Sequence, residues 1–120
     1  MGERRRAERH SITYYIQLMD SSNQKVIGNL VDISTTGIRI DGTLSLPVGR
    51  EIHIRMDTTQ DTVDMLHIEF VARVKWCQAD LMSPGLFDIG LDLISISPSG
   101  AKALNHVAEK YGFHKPEFNF

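Results

Sequence analysis

The chain has 120 residues, 42% of them hydrophobic and 23% charged, with a formal net charge of −2, a balance that fits one globular domain. No apolar run reaches the roughly 18–20 residues needed to span a bilayer, and no apolar segment follows the N-terminal charges as it would in a signal peptide, so a cytoplasmic protein is expected. The single cysteine, Cys77, excludes an internal disulfide and argues against a cysteine-based zinc site.

The charge is unevenly spread. Residues 1–10 hold Arg4, Arg5, Arg6 and Arg9 against Glu3 and Glu8, a balance of +2, and the other 110 residues sum to −4. A long nucleic acid calls for a broadly basic face. A short basic arm suits a compact anion better. Beyond Met1 and Ala7 the arm has no aliphatic side chain, so residues 1–10 are expected to be flexible until something binds them.

From Ser11 the pattern turns to period two. Ile12, Tyr14, Ile16 and Leu18 share one face, which predicts a strand. Asp20 to Asn23 has turn composition, and Lys25–Ile33 predicts the returning strand. Gly37–Asp41 predicts a short strand in which Ile38 and Ile40 alternate with Arg39. Leu46 to Gly49 carries Pro and Gly as turn punctuation. Ile52, Ile54 and Met56 mark a further strand, and the polar residues 57–64 a loop. Ile68, Phe70, Ala72, Val74 and Trp76 form the longest alternation; Trp76, at its end, is left open between barrel core and a contact in a binding site. A turn at Met82–Gly85 leads to a last strand through Phe87, Ile89, Leu91 and Leu93. Ser97-Pro98 then has the composition of a helix start, Ala101, Leu104, Val107 or Ala108, and Tyr111 recur at helical spacing, and Gly112 predicts the helix stop.

Six or seven strands followed by one helix predict an all-β fold, a small closed antiparallel barrel with a C-terminal helix against it. The expected boundaries are an arm at 1–10, a barrel at 11–96, a helix at 97–112 and a tail at 113–120. No nucleophile, base and oxyanion-donor set has recognisable spacing, so no catalytic role is expected. The five histidines lack metal-ligand spacing, and no metal or cofactor is expected.

Two short patterns carry chemistry. Arginine is planar, permanently charged and forked, and it pairs with phosphate or with O6 and N7 of guanine. In Asp32-Ile33-Ser34-Thr35-Thr36-Gly37, an ionised aspartate can only accept hydrogen bonds, and its natural partners on guanine are N1–H and the N2 amine. A site for phosphate alone would gain nothing from Asp32. Ser34 can donate to a phosphate, and Gly37 lets backbone approach a ligand closely. The competing structural explanation for this segment is turn chemistry, with side chains capping local backbone.

Arg5-x-x-x-Arg9 followed by Asp32-x-Ser34-x-x-Gly37 resembles the paired motif of the PilZ domain family, and Arg4 extends it to the fuller Arg-Arg-x-x-x-Arg form. The resemblance covers nearly the whole chain, including Ile38-Arg39-Ile40, Leu46-Pro47-Val48-Gly49 and Asp88 to Leu93. It implies a receptor for the bacterial second messenger cyclic di-GMP, with Arg4, Arg5, Arg9, Asp32, Ser34 and Gly37 as ligand-binding residues. Arg6 and Trp76 would be secondary contacts. It also implies regulation of an unidentified protein partner in trans, and a homodimer is left open. The alternatives are a PilZ-like adaptor that does not bind nucleotide, or a small nucleic-acid-binding barrel, which would need aromatic platforms in a basic groove.

Overall fold

A computed structural model describes residues 9–12, 16–34, 36–57 and 67–115, with side chains over 16–34, 36–57 and 67–109. The strands are β1 (Arg9–Ile12), β2 (Gln17–Asp20), β3 (Lys25–Ile33), β4 (Gly37–Gly42), β5 (Glu51–Asp57), β6 (His67–Ala79), β7 (Phe87–Ile96) and β8 (Gly112–Lys115), with one helix, α1 (Pro98–Tyr111). Strands β2-β5-β6-β7-β4-β3 pair in that order, and β2 also pairs with β3. Every one of these pairings is antiparallel. The result is the closed six-stranded barrel with a C-terminal helix that the alternation predicts. Closure leaves no open edge among these six strands.

The barrel closes because one face of each strand is apolar. Leu18, Ile40, Ile54, Met56, Ile68, Ala72 and Ile89 are completely buried, and Leu30, Ile38, Ile52, Phe70, Val74 and Leu91 nearly so. Burying a side chain of this size stabilises the fold by about 1.5–3 kcal/mol. Leu46, in the β4–β5 connection, is buried with them.

Ser97 opens α1: its Oγ accepts from the Gly100 N–H at 3.0 Å, which occupies one of the helix's orphan donors, and its carbonyl accepts the first bond of the helix from Ala101 N–H at 2.8 Å. Ala103, Leu104, Val107 and Ala108 are buried in the same core, and α1 lies against β1, β6 and β8.

Three features depart from the expected boundaries. Arg9 and His10, assigned to the arm, belong to β1. Gly112 does not end the helix in a loop but opens β8, so part of the tail is strand. β8 pairs with β1 from Arg9↔Lys115 to Ile12↔Gly112, and β1 in turn pairs with β3. Backbone hydrogen bonding, which leaves no mark in a polar sequence, is the cause. Lastly, the first predicted strand is divided into β1 and β2; its Thr13, Tyr14 and Tyr15 lie outside the described residues, as does most of the predicted loop at 57–64.

Candidate ligand-binding site

The Asp32–Gly37 segment is the turn between β3 and β4. Ser34 N–H donates to the Gly37 carbonyl at 2.9 Å. The Ser34 hydroxyl accepts from Thr36 N–H at 3.3 Å, sits 3.2 Å from the Thr36 hydroxyl and reaches the Gly37 carbonyl at 3.4 Å. Leu93 N–H, from β7, donates to the Thr36 carbonyl at 3.0 Å. Ser34 therefore does perform the turn chemistry that its residue type allows.

Gly37 has a structural reason of its own. It pairs with Asp92 of β7, and a Cβ there would lie 2.3 Å from the Leu91 carbonyl oxygen. Only a residue without a side chain lets β4 come this close to β7 at this point.

Beside this turn, one row of residues crosses the outer face of five strands. Ser11 of β1 pairs with Asp32 of β3, Asp32 with Arg39 of β4, Arg39 with Gly90 of β7, and Gly90 with Trp76 of β6. Arg39 places Nε and one terminal nitrogen each 3.2 Å from Asp32 Oδ2, and its other terminal nitrogen 3.8 Å from Asp88 Oδ1. The Asp32 side chain is only 9% exposed against 37% for Arg39.

Trp76 is where the expected pattern fails. Continuing the alternation from Ile68 to Val74 would bury it in the barrel. Instead the register shifts between Val74 and Trp76, so that Val74 opposes Leu91, Trp76 opposes Gly90 and Cys77 opposes Ile89. A bulge of this kind adds one residue, here Lys75, and reverses the faces beyond it. Cys77 then packs against the core, and the Trp76 ring lies over Gly90, where a Cβ would come within 2.4 Å of it.

These groups enclose an open cleft of about 160 Å³ lined by Asp32, Ser34, Thr36, Gly37, Arg39, Lys75, Trp76 and Asp92, with the backbone between them. A larger cleft of about 220 Å³ near the start of α1 gathers Ser21, His53, Glu69, Ser95 and Ser97 around apolar walls. It has no guanidinium and no lysine, whereas the smaller cleft has Arg39, Lys75 and the Trp76 ring, so the smaller cleft is the better candidate on chemical grounds.

Of the residues expected in the site, the fold brings Asp32, Ser34, Gly37 and Trp76 together. Arg9 opens β1, one position before the His10↔Ile33 and Ser11↔Asp32 pairs, so the backbone that carries it runs beside the Asp32–Ser34 stretch. Arg4, Arg5 and Arg6 lie outside the described residues. Sequence reasoning passed over Arg39, Lys75, Gly90 and Asp92. Arg39 was legible as the outward residue between Ile38 and Ile40, but its partner was not. Gly90 gave no signal, because its importance depends on a bulge in the preceding strand, β6.

Among the described residues, no group of three or more His, Cys, Asp or Glu is placed to hold a metal ion, and no helix is long and apolar enough to cross a membrane.

The model of the PilZ domain matches residues 3–109. The chain belongs to the PilZ domain family. Solved structures agree on the fold. The PilZ domain with cyclic di-GMP of YcgR from Escherichia coli is similar at a TM-score of 0.68 and 16% identity, over 91% of this chain and 92% of that one. The Bacillus subtilis inhibitor of motility MotI/DgrA is similar at 0.67 and 20% identity, over 90% of this chain and 51% of that one. The K. pneumonia MrkH–cyclic di-GMP complex is similar at 0.62 and 16% identity, over 88% and 51%. This PilZ chain thus spans about half the length of MotI/DgrA and MrkH. No match was found among curated proteins.

Proposed function

We propose that this PilZ chain is a non-catalytic cytoplasmic receptor for cyclic di-GMP. Arg4, Arg5 and Arg9 would grip guanine and phosphate, while Asp32, Ser34 and Gly37 would hold a guanine at the β3–β4 turn. Trp76 would offer a flat ring beside it. The pairing of Ser11 with Asp32 supports this reading most directly, because it brings the strand opened by Arg9 alongside the Asp32–Gly37 turn. The likeness to PilZ structures that contain cyclic di-GMP supports it independently. Drawing the arginine segment onto the barrel would change shape and surface charge together, and so alter docking to a partner protein.

On the expectation that the arginine arm, residues 1–9, is flexible, ordering it would cost on the order of 1–2 kcal/mol per residue, and each charge-assisted hydrogen bond would return about 1.5–3 kcal/mol. Several bonds are needed merely to offset the ordering, so the affinity is expected nearer micromolar than picomolar. It should fall as salt rises, since the guanidinium–phosphate contacts are screened. The test is isothermal titration of the chain with cyclic di-GMP, alongside Arg5→Ala and Asp32→Ala. Saturable binding that both substitutions weaken is expected. No binding by the native chain, or undiminished binding by both variants, would refute the proposal and leave the nucleotide-independent adaptor.

A further inference from the structure

Arg39 stands at the centre of the row that crosses the cleft. Both of its contacts to Asp32 fall on Oδ2, so Arg39 leaves Oδ1 unengaged. The contact to Asp88 Oδ1 at 3.8 Å holds the guanidinium from the other side. It is thereby suspended between two carboxylates on β3 and β7. Asp32 is nearly buried, and a buried carboxylate without a partner is costly. Arg39 offsets that cost through one oxygen only, and among the described residues no partner is seen on the other. The cleft's charged lining is Asp32, Arg39, Lys75 and Asp92, a balanced set. Without Arg39 it would be net negative, and an anionic ligand would meet repulsion.

We infer that Arg39 is a positioning and specificity residue of this site. By clamping Oδ2 it orients the Asp32 carboxylate and supplies its counter-charge, so that Oδ1 accepts from the N1–H and amine edge of a guanine. The inference rests on the cyclic di-GMP reading above. The opposite role, in which Arg39 competes with the ligand for Asp32, would have the opposite sign. A sealed pair would be a two-pronged contact on both oxygens, and the contacts of Arg39 fall on one.

Titration calorimetry decides between these roles, using cyclic di-GMP and its inosine analogue cyclic di-IMP, which lacks only the guanine amines. The proteins are native, Arg39→Gln, Arg39→Lys, Asp32→Ala and Arg39→Gln/Asp32→Ala, each shown folded by circular dichroism. Arg39→Gln should weaken cyclic di-GMP binding about tenfold, or roughly 1.4 kcal/mol. It should also narrow the preference for cyclic di-GMP over cyclic di-IMP. Lysine, a point charge without the planar fork, should restore only part of the loss. In the Asp32→Ala background Arg39→Gln should cost little more, the mark of two residues acting as one. Tighter binding by Arg39→Gln, unchanged affinity, an unchanged preference between the two ligands, full rescue by lysine or additive losses would each overturn the inference. Absence of binding by the native chain is a different pattern, and it would remove the functional reading and this inference together.

Discussion

Gly37→Ala tests whether the glycine of the Asp-x-Ser-x-x-Gly motif serves the fold before it serves any ligand. An ideal Cβ at Gly37 would sit 2.3 Å from the Leu91 carbonyl oxygen, with the Leu91 carbonyl carbon and Asp92 Cα at 3.3 and 3.4 Å. All three are backbone atoms of β7, so no side chain can rotate away. To reach even 3.0 Å, β4 and β7 must separate by about 0.7 Å, across a ladder that runs from Gly37↔Asp92 to Gly42↔Phe87. Overpacking against a well-ordered core typically costs about 1–3 kcal/mol, and a backbone neighbour puts this case at the upper end. With a urea slope of about 1–3 kcal/mol per molar, the unfolding midpoint should fall by about 1 M. The assay is urea denaturation of the ligand-free protein, followed by the fluorescence of its single tryptophan. Gly49→Ala is the control: Gly49 has φ +92° but nothing within 4 Å of a Cβ, so only conformational strain applies, about 1–2 kcal/mol. If Gly37→Ala unfolded within about 0.5 kcal/mol of native, the close-approach argument would be wrong and Gly37 would be free to serve the ligand alone.

Gly90→Ala should behave differently, because the atoms in its way belong to the Trp76 ring and can swing aside. A smaller loss than for Gly37→Ala, about 1 kcal/mol, is expected together with a shifted emission maximum and easier quenching of Trp76. An unchanged emission spectrum would show that the ring does not lie over Gly90. Leu104→Ala, on the buried face of α1, should cost about 2–5 kcal/mol in the same denaturation assay. A loss under about 1 kcal/mol would mean that the helix contributes little to the core. Asp20 is buried and accepts from the Ser22 hydroxyl at 2.6 Å and the Ser22 N–H at 2.9 Å. The Ser22 hydroxyl bond is the main cause that holds its carboxyl below the ordinary 3.8, with Arg50 helping and burial opposing. A depressed folded pKa contributes stability that is complete above the unfolded value and lost as pH falls through the folded one. Asp20→Asn should therefore cost about 1–3 kcal/mol at neutral pH, and its deficit relative to native should shrink below about pH 4. A deficit that stayed constant down to pH 2 would refute the assignment.

Much of this barrel was legible along the chain. Lys25–Ile33 reads as one strand because its β-branched residues lie between two turns, and Ile52, Ile54 and Met56 reveal an inward face because side chains alternate at period two. The Ser97 cap is legible because helix starts obey local chemistry. The β1–β8 pairing was not legible, since main-chain hydrogen bonds are indifferent to side-chain identity. In the site, Asp32, Ser34 and Gly37 announce themselves as a short motif. The ion pair of Asp32 with Arg39 does not, because the two residues meet only when β3 folds back on β4.

By itself, then, the amino-acid sequence determined a closed barrel of alternating strands, a C-terminal helix and two polar motifs suited to a guanine-bearing phosphate. Those are consequences of local period and residue chemistry. The tertiary structure alone decided that Trp76 lies outside the barrel rather than within it, since one extra residue at Lys75 reverses every side chain beyond it. It also decided that Gly37 and Gly90 are needed for space, and that Arg39 sits on Asp32. Each of these depends on which strands become neighbours and in what register, a property of the assembled sheet that no single segment carries.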